Sequence, residues 1–125
     1  MSGLTLDSGA LIAFERNDRR VVAIIERAFK LGIRLAVPAG VVGETWRAGR
    51  RQARLARLLG SDVIEIEVLD DRRARAAGQL CGVTHTDDVI DASVVLCARS
   101  RGHGVLTSDM GDLRRLDSTL RYVPI

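Results

Sequence analysis

The sequence predicts an α/β domain in three layers, with helices on both sides of a central, mainly parallel sheet. Three observations carry this reading. Short apolar runs alternate with helical segments from one end of the chain to the other, which is the alternation a parallel sheet requires. Two of those runs, Leu4-Thr5-Leu6 and Val105-Leu106-Thr107, lead into acids at Asp7 and Asp109. In such sheets the carboxyl ends of the strands are where ligands bind. The 125 residues, 46% of them hydrophobic, suffice for a single domain over residues 1–125 with a real core, and exclude general disorder.

The elements follow in order. Leu4 to Leu6 reads as a short strand, and Ser8 can cap a helix from Gly9 to about Arg16. A second helix from Arg19 to Leu31 carries Val21, Val22, Ile24, Ile25, Ala28 and Phe29 as an apolar stripe, keeps Glu26, Arg27 and Lys30 opposite, and closes at Gly32. Leu35-Ala36-Val37 is a strand stopped by Pro38, and the next helix begins near Ala39. Arg50 to Leu59 is expected to continue as helix up to Gly60, followed by an alternating strand from Val63 to Leu69. Asp70 or Asp71 starts a helix to about Cys81, ended by Gly82. Thr86 or Asp87 caps another from Asp88 to Arg101, ended by Gly102. A strand at Gly104 to Thr107, a short helix at Gly111 to Leu116 and a last strand at Arg121 to Val123 complete the chain.

Composition narrows the function classes. No run approaches the roughly 18 apolar residues of a membrane span, and no basic segment with an apolar signal core stands at the amino terminus. A cytoplasmic protein is the expectation. Cys81 and Cys97 lack any metal-ligand spacing and read as reduced, buried thiols. Of the 19 basic residues all but Lys30 are arginine, within a net charge of +3. Arginine suits bidentate phosphate contact, but a genome rich in arginine codons gives the same average, so the distribution has to decide.

The acids are ambiguous one at a time. Asp7 and Asp109 each precede a helix, where an aspartate commonly caps. Asp91 is different, because Val89-Ile90-Asp91-Ala92-Ser93-Val94-Val95-Leu96-Cys97-Ala98 is apolar on almost every side. A carboxylate buried there must be paired, protonated or bound to a metal. Asp88 lies one turn earlier, although it and Asp87 also sit at the positive end of the helix, where acids are stabilised anyway. Glu44 sits in Val41-Val42-Gly43-Glu44-Thr45-Trp46, with Arg47 as its local salt-bridge alternative.

Taken in order, Leu-Asp-Ser after the first strand, a mid-chain helical Glu, Asp91 in Val-Ile-Asp-Ala-Ser, and Thr-Ser-Asp after a late strand resemble the PIN-domain nucleases, especially VapC-type toxins of bacterial type II toxin–antitoxin systems. The resemblance spans nearly the whole chain and implies a three-layer α/β/α PIN-like domain. It implies that Asp7, Glu44, Asp91 and Asp109 are catalytic and bind Mg²⁺ or Mn²⁺, with Ser8 and Thr107 ordering the site. Asp112 matches an extra acid of many members, and Asp88 is a further marginal ligand. Where an aromatic often follows the second late acid, this chain has Leu113. The implied activity is metal-dependent endoribonuclease cleavage of RNA by the toxin of a VapBC-type pair, with a cognate antitoxin and a homodimer as partners.

Carboxylate-bound metal suits phosphodiester hydrolysis, because it activates water and neutralises phosphate charge. His85 and His103 stand in turn-like contexts and offer no competing triad. Arg47, Arg50, Arg51, Arg54 and Arg57 recur at helical spacing and would form a basic stripe for RNA or antitoxin if Gly49 does not break the helix. Trp46 serves packing or stacking equally well. Three other functions compete, one of them a receiver-like signalling module that would want paired early acids and a late lysine, where the only lysine is Lys30. A metal-dependent phosphatase would want a second Asp two residues after the first, where Gly9 stands. A non-catalytic RNA- or partner-binding module would keep the fold alone.

Overall fold

The computed structural model describes residues 2–125. Its strands are β1 (Gly3–Leu6), β2 (Arg34–Pro38), β3 (Ile64–Glu67), β4 (Gly104–Thr107) and β5 (Tyr122–Pro124). Its helices are α1 (Ser8–Glu15), α2 (Arg19–Leu31), α3 (Ala39–Thr45), α4 (Ala53–Leu59), α5 (Asp71–Thr84), α6 (Val89–Arg101) and α7 (Met110–Leu116). The strands form one sheet in the order β3-β2-β1-β4-β5, and every pairing is parallel.

Burial follows position in the sheet. Every residue of β1 and β4 is buried, as both faces of a central parallel strand must be, while β3 at one edge buries only its ends, Ile64 and Glu67. α6 lies against β1, β2 and β4 and touches α3, α5 and α7; α1 gathers α2, α3 and α4. These are the outer layers, and Leu6, Leu11, Ile25, Leu35, Val94, Val95 and Leu106 fill the space between them and the sheet. α2 buries Val21, Ile25 and Ala28 as its stripe predicts, and Gly32 ends it at φ 67°, in the left-handed region that glycine adopts without strain. Both cysteines are free and buried. No helix among the described residues is long and apolar enough to cross a membrane.

Several boundaries differ from the sequence expectation, each for a visible reason. Asp7, rather than Ser8, caps α1, accepting a hydrogen bond from the Ala10 N–H at 2.9 Å. α5 runs through Gly82 to Thr84, because His85 takes the left-handed closing position at φ 57°. Asp88, not Thr86 or Asp87, caps α6, its carboxylate accepting from the Asp91 N–H at 2.9 Å.

The basic stripe does not form as a continuous helical face. α3 stops at Thr45, residues 46–49 are non-helical with Ala48 at φ 56°, and only a 3-10 turn at Arg50–Gln52 leads into α4. The break is held by a buried amide. Gln52 donates from Nε2 to the Thr45 carbonyl and accepts at Oε1 from the Arg47 N–H, both at 2.7 Å. Apolar Leu or Val in its place would satisfy neither group, so the glutamine fixes the kink.

Gln52→Leu should therefore lower the unfolding free energy by about 1–3 kcal/mol, the cost of leaving buried polar groups unpaired. Arg51→Ala, at an exposed neighbour, should change it by less than about 0.5 kcal/mol. Urea unfolding of both variants checks this, and equal effects would refute the role of Gln52.

Candidate metal centre

The site grows out of the sheet order. β1 and β4 are neighbours, with Leu6 opposite Leu106, so the residues just beyond them, Asp7 and Asp109, emerge side by side although they are distant in sequence. The Asp7 N–H continues the ladder by donating to the Leu106 carbonyl at 3.3 Å. Only 4% of Asp7 is exposed. One of its carboxylate oxygens caps α1 and the other accepts from the Thr107 hydroxyl. Thr107 Oγ1 in turn accepts from the Asp109 N–H at 2.7 Å, so one threonine fixes the start of both acid-bearing turns. Burial pushes the Asp7 carboxyl up from its ordinary value, and its hydrogen bonds from Thr107 and the helix backbone oppose the rise.

Asp91 enters from above, on the first turn of α6. It is half-buried, and its own helix buries Ala92, Ser93, Val94, Val95, Cys97 and Ala98. Burial first, then the charges of Asp88, Asp109, Asp7 and Glu44, push its carboxyl up to about 7. Asp109 stands at the cap position of α7, where its side chain makes no regular cap hydrogen bond and lies against Asp112. Burial and neighbouring Asp112 raise it. Oxygens of Asp91, Asp109 and Asp112 lie within 4.8 Å of one another. Asp112, read from sequence as an extra, thus belongs to the tightest group of acids.

Glu44, in the last turn of α3, is exposed, and burial of its carboxyl followed by the charge of Asp88 raises it; a hydrogen bond from the Ser8 hydroxyl acts in the opposite direction. It lies within the electrostatic reach of Asp7, Asp88 and Asp91, but outside the close trio. Asp88 caps α6 with one carboxylate oxygen. Arg47 curls back onto the end of α3, donating to the Gly43 and Trp46 carbonyls, and Arg54 donates to Asn17 at 2.7 Å. Arg50 and Arg51 are exposed in the 3-10 turn.

The described ion pairs join Arg73, Arg75, Arg99 and Arg101 to Glu65, Glu67, Asp71 and Asp117. None includes Asp7, Glu44, Asp91, Asp109 or Asp112. An all-oxygen group of carboxylates that raise one another's affinity for protons suits a hard divalent cation such as Mg²⁺ or Mn²⁺.

Two features of the site escaped the sequence. A Cβ at Gly9 would overlap the Ser108 hydroxyl, so only glycine lets α1 start this close to the turn after β4. Arg115 lines the cavity beside the acids; its place three residues after Asp112 on one helical face is a legible signal.

No protein-family model and no curated protein matches this sequence significantly. Solved structures do match its shape. A chain in the DNA-bound VapBC structure from Salmonella typhimurium aligns at a TM-score of 0.71 with 21% identity, over 99% of this chain and 98% of that one. VapBC2 from Rickettsia felis, bound to a promoter DNA fragment, gives 0.71 at 14% identity over 98% of each chain. FitAcB from Neisseria gonorrhoeae gives 0.64 at 19% identity over 95% of each. The fold is PIN-like. In this PIN-like fold the acids occupy the crevice at the carboxyl ends of β1 and β4, where the strand order changes direction.

The raised acids make stability depend on pH. Between about pH 4 and pH 7 folded Asp91 retains a proton that the unfolded chain has released, so without metal the stability falls as pH rises through that window. Asp91→Asn removes the charge at similar shape. In chelator at about pH 8 its melting temperature should exceed that of the native chain, and the two should converge near pH 4. A native melting temperature that is flat with pH and matched by the variant throughout would contradict the clustering.

Proposed function

We propose that this chain is a metal-dependent endoribonuclease and the toxin of a VapBC-type toxin–antitoxin pair. The observation that carries this reading is the convergence of the Asp91, Asp109 and Asp112 carboxylates, free of arginine partners, at the switch point of a PIN-like sheet. The likeness to VapBC and FitAB structures supports the pairing with an antitoxin.

In this reading Asp91, Asp109 and Asp112 hold Mg²⁺ or Mn²⁺ with Asp7 and Glu44 alongside, and Ser8 and Thr107 order the acids. When bound, the cation supplies Lewis-acid activation of water and neutralises charge on the phosphodiester. The protein's own groups set the geometry. Thr107 holds Asp7 and the backbone of Asp109 in fixed relation, and the α6 cap at Asp88 fixes the helical turn that presents Asp91. The high proton affinity of Asp91 makes it the acid that must lose a proton before a cation binds near neutral pH. Arg47, Arg50, Arg51 and Arg54, on the connection next to Glu44, form the surface that meets RNA or antitoxin, and a second copy of the chain completes a homodimer.

Purified protein should cleave mixed RNA with Mg²⁺ and leave it intact with chelator. Asp91→Asn and Asp7→Asn should each lose at least about a hundredfold in cleavage rate, since even groups that only orient metal ligands cost about 10- to 100-fold. Thr107→Val should fall within that smaller range. Gel analysis of the RNA reads all of these, and metal-dependent cleavage persisting in both aspartate variants would defeat the assignment.

A further inference from the structure

Beside the acids, between the α5–α6 connection and α7, lies a cavity of about 350 Å³. Thr86, Asp88, Asp91, Asp112 and Arg115 are among its walls. Its size is at the small end of ligand pockets, about 300–1,000 Å³. The charge on its walls is uneven. Four aspartates, Asp87, Asp88, Asp91 and Asp112, face a single arginine. Arg115 follows Asp112 by one turn on α7, so both side chains project from the same helical face.

Arg115 is also uncommitted. Three arginines elsewhere are committed to structural acids: Arg99 to Asp117 at 2.8 Å, Arg73 to Glu67 at 2.7 Å, and Arg101 to Glu65 and Glu67. Arg115 is exposed and joins no ion pair among the described residues. A guanidinium fork facing open space is matched to the two oxygens of a phosphodiester. A polynucleotide entering an acid-walled cavity needs such a contact, because its flanking phosphates are repelled by any carboxylate that a metal does not cover.

We propose that Arg115 binds the phosphate next to the scissile one, so that the substrate strand runs through the cavity between the α5–α6 connection and α7. This rests on the nuclease reading and adds to it a contact on the side opposite the Arg47–Arg54 surface. An ordinary alternative is that Arg115 only complements the negative end of α7, and the two make different predictions.

The test compares Arg115→Gln with Arg114→Gln, an exposed neighbour that does not line the cavity. Binding of a labelled RNA octanucleotide is read by anisotropy with Mg²⁺ in an Asp109→Asn background. Arg115→Gln should weaken it about tenfold, as loss of a charged hydrogen bond does, and should flatten the slope of log affinity against log salt by about 0.7. Arg115→Lys should keep the slope, and Arg114→Gln should change neither quantity. In the otherwise native chain, Arg115→Gln should lower kcat/KM on a trinucleotide yet spare a dinucleoside monophosphate, which has no neighbouring phosphate. Equal losses on both substrates, or a salt slope unchanged by Arg115→Gln, would overturn the proposal. If the native chain cleaves no RNA, the nuclease reading fails and the binding measurement still decides on Arg115; absence of binding overturns that as well.

Discussion

The Asp7 carboxylate joins three elements at once, and through Thr107 it is tied to the turn that carries Asp109. It terminates β1, caps α1 and takes a hydrogen bond from Thr107 at the end of β4. Removing a carboxylate from water is costly, but charge-assisted hydrogen bonds contribute about 1.5–3 kcal/mol each and offset much of that cost. The acids are therefore held together by the framework, against their mutual repulsion. Parallel pairing of β1 with β4 supplies the alignment, because it sets the two acid-bearing turns at the same height.

The rest of the molecule shows that the unpaired acids are not explained by a shortage of cations. On the same chain Glu67, 8% exposed, is flanked by Arg73 and Arg101, and the Arg101 network reaches Cys97, whose thiol burial and nearby Glu67 push up to about 12. That is how a fold neutralises a buried acid for structural purposes, with opposite charge on both sides. At the end of the sheet where β1, β4 and α6 converge, the same arginine-rich chain leaves Asp91, Asp109 and Asp112 without an ion-pair partner among the described residues. Local disagreement with the usual pairing rules is what sites that bind an external group present.

What the sequence made legible follows the range of the interactions involved. Strands and helices are written in apolar periodicity, so the α2 stripe, the Gly32 and Gly102 ends and the alternation that builds the sheet could all be read directly. Asp91 stood out because a carboxylate in an apolar helix violates a local rule. Capping was less legible, since Asp7 and Ser8, or Asp87 and Asp88, are equivalent by propensity and only the approach of β4 and the turn of α6 separates them. The break between α3 and α4 was legible only as a possibility at Gly49, and what holds it was hidden, because a glutamine at position 52 looks like any solvated helix residue until its two backbone partners are seen. Asp112 ranked low from sequence for a related reason: its nearness to Asp91 is a contact between α6 and α7 that no periodicity encodes.

The kink also changes what the arginines can do. On a continuous helix Arg47, Arg50, Arg51 and Arg54 would share one face and act as a rigid comb of charge. Broken at residues 46–49, they fan out: Arg47 is drawn to the end of α3, Arg54 to Asn17, and the 3-10 turn displays Arg50 and Arg51. A fan of long side chains attracts a polyanion without imposing a register, because phosphate contacts of this sort carry charge and little shape. Register has to come from groups whose positions are fixed by packing. In this chain those are the acids held by Thr107 and the α6 cap, together with the walls of the adjoining cavity. In the proposed nuclease reading, attraction and alignment thus fall to different surfaces, one a fan of exposed arginines, the other a set of acids fixed by backbone and threonine hydrogen bonds.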